Sequence, residues 1–155
     1  MNQQTSLVAD DLVKMSHTEL DDLFKKSPAG PIPSGPMDGT VLFDPGHPLA
    51  EVAAKVAHLL FWKGKIFDPV KGELRNEILP MGIPAIVAKV YSAPSWLDGK
   101  DCIVLDYSKT SLVAHWVRDE IRLVAPGLYL GLVFWEKDRI LGFALASPAK
   151  AAATS

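Results

Sequence analysis

The chain has one cysteine, Cys102, in 155 residues, which excludes an intrachain disulfide and any zinc site built from several thiolates. It has no dense basic run. Sixteen lysines and arginines are spread among eighteen acidic residues, for a net charge of −2, so no nucleic-acid partner is expected. Long apolar runs are also missing. The least charged stretch, Leu123–Trp135, is broken by Pro126, Gly127 and Gly131, whereas a spanning helix needs ~20 apolar residues. The first residues carry Asp10 and Asp11, unlike the basic start of a secretory leader. A cytoplasmic protein without a membrane partner is the expectation.

Cofactor signatures are absent as well. Gly30–Gly39 is rich in glycine and proline, but it neither follows a strand nor opens a helix with a lysine, as phosphate loops do. No Gly-x-Ser-x-Gly elbow occurs. Cys102 lies within an apolar strand pattern, where thiols are usually inert. His17, His47, His58 and His115 lack the i, i+4 pairing of a helical metal site. The expectation is therefore no cofactor and no metal, the alternative being a site assembled in space from His58, His115 and carboxylates.

What the chain does have is 48% apolar residues, enough for one domain with a single core. Residues 1–147 are read as that domain and 148–155 as a frayed tail. Ser16-His17-Thr18-Glu19 is a capping box, and Leu20, Leu23 and Phe24 form a stripe, so a helix is predicted over about 17–26. A second helix is predicted from Pro48, with Leu49, Val52, Ala53, Val56, Leu59 and Leu60 at helical spacing. From Lys65 onward short β-branched and aromatic runs alternate with turn residues: 65–68, 73–79, 83–92, 101–107, 127–135 and 139–146. That spacing predicts an antiparallel sandwich or closed barrel. Residues 112–124 fit a helix and alternate like a strand equally well.

Ile32-Pro33-Ser34-Gly35-Pro36-Met37-Asp38-Gly39-Thr40-Val41-Leu42, followed by Trp62-Lys63-Gly64-Lys65-Ile66-Phe67 and later Tyr129-Leu130-Gly131-Leu132-Val133, resembles the GXWXG-type domain of small bacterial proteins. The similarity covers about half of the chain, and Leu60 stands where the first glycine of that pattern belongs. The resemblance implies a lipocalin-like (calycin-like) barrel with helical cover and brings no catalytic residues. Together with the strand spacing it gives the expected fold: mainly β, an antiparallel barrel of about eight strands with two N-terminal helices packed on it.

Candidate site residues come from polar groups set in apolar sequence. In 115–122 either geometry puts His115 and Asp119 on one side; as a strand, Trp116, Arg118, Glu120 and Arg122 point to the other. A desolvated Asp119 oriented by His115 suits general acid–base work; the bland alternative is a solvated ladder of charges. Asp106 closes the strand 102–105 and either meets a ligand or caps its own turn. Arg118 or Arg122 and Tyr129 are read as meeting a ligand's polar end. Tyr91 adds a further phenol. Trp96 can gate the barrel mouth and Trp116 can line the cavity.

Two functions follow. One is a binding protein for a hydrophobic or amphipathic small molecule (fatty acid, terpenoid, steroid or polyketide) held inside the barrel. The other is a cofactor-independent isomerase, cyclase or hydrolase using Asp119 or Asp106 with His115. A third class, an interaction module, would use a sheet edge or apolar patch. Oligomeric state is open.

Overall fold

The computed structural model describes residues 6–43, 46, 48–54, 65–76, 86–110 and 115–152. Eight antiparallel strands follow one another in chain order and close into a barrel: β1 (Gly35–Leu42), β2 (Lys65–Asp68), β3 (Glu73–Asn76), β4 (Ile86–Pro94), β5 (Asp101–Asp106), β6 (Val117–Ala125), β7 (Leu128–Trp135) and β8 (Asp138–Ala146). β1 splits its pairing to make the closure. Its first residues pair with β2, as in Met37 with Lys65, and the remainder with β8, as in Val41 with Phe143. Among the described residues the barrel has no terminal edge strand, since each strand has a neighbour on both sides.

The ambiguous segment is a strand over Val117–Ala125. Its alternation wins because both neighbours, β5 and β7, offer register partners, and because Pro126-Gly127 turns the chain back with Gly127 at φ 71°. β1, absent from the strands read off the sequence, pairs within a glycine- and proline-rich stretch. Helix α2 (His17–Lys26) begins as expected, with the Ser16 hydroxyl accepting from the Glu19 N–H and the Glu19 carboxylate accepting from the Ser16 N–H. A short helix, α1 (Ala9–Val13), precedes it. Of the predicted second helix, α3, residues 50–54 are described and helical; 55–64, including His58, Leu60 and Trp62, lie outside the described residues. The stretch read as a tail makes a helical turn, α4 (Pro148–Ala152).

Two apolar clusters share the barrel wall. The inner one joins Phe67, Ala88, Ile103, Leu105, Ile121, Val133, Leu141, Phe143 and Leu145, with Leu49, Val52 and Ala53 of the α3 segment packed against it. The outer one joins Leu12, Leu20 and Phe24 of α1 and α2 to Cys102, Val104, Leu128, Leu130, Leu132 and Phe134. The first two helices therefore cover the outer wall. β7 is buried on both faces as a result, which is why its sequence is a continuous apolar run. Gly131 is directly opposite Phe143 and leaves room for its ring: a Cβ there would sit 2.1 Å from Phe143 Cζ. No helix among the described residues is long and apolar enough to cross a membrane.

Candidate functional site

Alternation in β6 sends Val117, Asp119 and Ile121 inward, among the apolar residues of the lumen. Asp119 is completely buried. β2 brings Lys65 inward in phase with Phe67, and the inward phase of β5, Ile103 and Leu105, continues to Tyr107 just past its end. The three polar groups meet there. Lys65 Nζ donates to Tyr107 Oη at 2.9 Å and lies 3.5 Å from Asp119 Oδ2. Tyr107 Oη donates to the same Oδ2 at a longer 3.4 Å. The rings of Tyr107 and Phe143 flank the ammonium, each centroid 5.6 Å from Nζ. Asp119 Oδ1 is buried and has no hydrogen-bond donor among the described residues.

Desolvation dominates the proton affinities in this cluster. Burial raises the Asp119 carboxyl from its ordinary 3.8 to about 6, against the pull of Lys65. Burial likewise lowers the Lys65 ammonium from 10.5 to about 8, against the pull of Asp119. Each group thus titrates nearer to neutrality than its kind does in water.

The remaining predicted residues go elsewhere, and the reasons are local. His115 does not join Asp119. It sits in the turn before β6, with its ring centroid 4.0 Å from that of Trp116 and tilted by 43°, and lines a groove on the outer wall. Arg118 and Arg122 do not enter the lumen, because the same alternation that turns Asp119 inward turns them outward. Arg122 is buried under α2, where it donates to both Asp98 carboxylate oxygens at 2.7 and 2.8 Å and to the Phe24, Lys100 and Asp101 carbonyls. Its fork pulls Asp98 down to about 2. Arg118 bonds Glu120 and the Pro94 carbonyl and lies over the Trp96 ring at 4.3 Å. Glu120, fully buried, accepts from Ser95 Oγ and from the Trp96 N–H.

Trp96 therefore clasps the outer wall instead of gating the lumen, edge-on to Phe134 at 5.5 Å. Trp116 is 49% exposed on the outside. Asp106 faces outward and caps its own turn, accepting from the Ser108 N–H at 2.9 Å and from Tyr91 Oη at 2.7 Å. Burial first, and that bond second, push the Tyr91 phenol up to about 12. Tyr129 is inward, with its hydroxyl donating to the Pro31 carbonyl. Cys102 is buried in the outer cluster, and its thiol is pushed up to about 12. Trp96, Asp106, His115, Trp116 and Arg118 do meet one another, along that outer groove of about 300 Å³.

Lys65 and Tyr107 were missed by sequence reasoning, though their signals were present. Lys65 alternates in phase with Phe67, and Tyr107 with Ile103 and Leu105. Among the described residues no group of three or more histidine, cysteine or carboxylate side chains could hold a metal ion.

No family model and no curated protein matches the chain. Among solved structures, a protein from Thermomonospora curvata is similar over 85% of this chain and 87% of that one, with a TM-score of 0.57 at 16% identity. A likeness at that identity carries the fold alone: this chain is an eight-stranded barrel protein whose architecture another chain shares.

Proposed function

We propose that the barrel interior binds a hydrophobic or amphipathic small molecule, of fatty-acid, terpenoid, steroid or polyketide kind, with its polar end against Asp119, Lys65 and Tyr107. Asp119 Oδ1 carries this reading. A buried acceptor without a donor costs ~1–3 kcal/mol, and a ligand hydroxyl supplies the missing hydrogen bond. Barrels of eight strands are of the size that holds one small ligand. The polar contacts fall to Lys65 and Tyr107 in place of the arginines. The resemblance of residues 32–42 and 62–67 to the GXWXG-type, lipocalin-like pattern, whose barrel would enclose a small ligand, is part of this proposal. The expected setting is the cytoplasm, without a nucleic-acid partner.

Calorimetry with decanol and decane tests the proposal. Decanol is expected to bind the folded chain, and Asp119→Asn to weaken it about tenfold, because a hydrogen bond to a charged acceptor contributes ~1.5–3 kcal/mol. Equal affinity for decane, or no loss in Asp119→Asn, overturns it. A second reading, acid–base catalysis at the same buried cluster, is favoured by the proton affinities of Asp119 and Lys65, drawn to about 6 and about 8. Its partner for Asp119 is Lys65 rather than His115, and it requires turnover with a bell-shaped pH dependence.

A further inference from the structure

We infer that Lys65 captures carbonyl compounds: an apolar aldehyde or ketone entering the barrel condenses with its Nζ to an imine held against Asp119. The inference rests on the ligand-binding interior proposed above and adds the functional group that such a ligand carries.

Three features of the cluster serve this chemistry. The amine is wholly buried between two aromatic rings, where water is scarce and imine hydrolysis is disfavoured. A carboxylate 3.5 Å away and a phenol 2.9 Å away can pass protons. Desolvation lowers the ammonium toward neutrality, so more of it is free amine at pH 7 than for a lysine in water.

The step balances within these groups. Asp119 takes a proton from the Lys65 ammonium, and the nitrogen lone pair forms the C–N bond as the carbonyl π pair moves to oxygen. The proton returns to that oxygen. The nitrogen of the carbinolamine then gives a second proton to Asp119, which passes it to the hydroxyl, so the C–O bond breaks and water leaves. The product is a protonated imine facing the Asp119 carboxylate. One cation and one anion are present before and after, and no buried charge is left alone.

Decanal with sodium cyanoborohydride, followed by peptide mapping of the intact folded chain, tests the inference. The expected result is alkylation of Lys65 at least about tenfold faster than of any exposed lysine, following the larger neutral fraction of a depressed amine, and suppression of that labelling by excess decanol. Lys65→Met is expected to lose the fast adduct, which peptide mapping of the folded variant reads directly. Should that variant fail to fold, the mapping of the unaltered chain decides alone. Labelling of Lys65 no faster than of surface lysines overturns the inference. If decanol binds and Lys65 stays unmodified, carbonyl capture fails and the binding reading stands; if neither occurs, both fail.

Discussion

Asp119 and Lys65 are each held away from their ordinary proton affinity by burial, and the direction of each shift sets a pH dependence. The folded chain binds a proton at Asp119 more readily than the unfolded one does. Its contribution to stability is therefore fully present below pH 3.8 and is lost as pH rises through about 6. Lys65 acts in the opposite sense: its contribution is present above pH 10.5 and is lost as pH falls through about 8. Between about 6 and 8 both groups are charged, and the cluster holds the barrel least well. Urea unfolding across pH is expected to show this dip, and Asp119→Asn to remove the fall on its acid side. A profile unchanged by Asp119→Asn contradicts the assignment. Arg122 differs in kind. Its fork is satisfied by Asp98 and three carbonyls, so Arg122→Ala removes the ion pair of the half-buried Asp98 and the donor to those carbonyls and is expected to cost ~1–3 kcal/mol. Decanol binding by the folded fraction is expected to stay unchanged, since the guanidinium lies outside the lumen; a loss of binding measured above the folding threshold counts against that placement.

At the scale of elements, β7 and β8 pack closely through one complementary pair, Gly131 and Phe143. The Phe143 ring occupies the space that a side chain at residue 131 would need. Gly131→Ala is expected to destabilise by ~1–3 kcal/mol, the usual cost of overpacking. Combining it with Phe143→Leu is expected to cost less than the two changes summed, which a double-mutant cycle reads. Strict additivity would mean the two residues do not meet. α2 was legible because the Ser16–Glu19 box and the stripe of Leu20 and Phe24 are local signals, complete within one segment. β6 was legible only as an alternation, since its choice of strand over helix depends on neighbours supplied from residues 101–106 and 128–135. β1 was not legible: Gly35, Pro36 and Gly39 read as loop, and only pairing with β2 and β8 makes the segment a strand.

For the whole molecule, the phase of each strand was in the sequence and the register between distant strands was not. Alternation alone put Asp119 on the apolar side. No local pattern places Lys65 beside Tyr107, forty-two positions further along the chain; that meeting follows from closing eight strands into one barrel. Alternation likewise puts Arg118 and Arg122 on the outer wall, where with Asp106, Tyr91 and Trp96 they bond loops and helix α2. Among the described residues closure leaves one polar cluster amid the apolar side chains of the lumen, and the central claim is that a ligand is held there. Methyl-labelled NMR with decanol tests this most directly. The account predicts shifts and ligand contacts at the inward methyls of Leu105, Ile121, Val133 and Leu141, with Val104, Leu130 and Leu132 of the outer cluster unmoved. Contacts confined to the outer methyls, or none at saturating decanol, would contradict it.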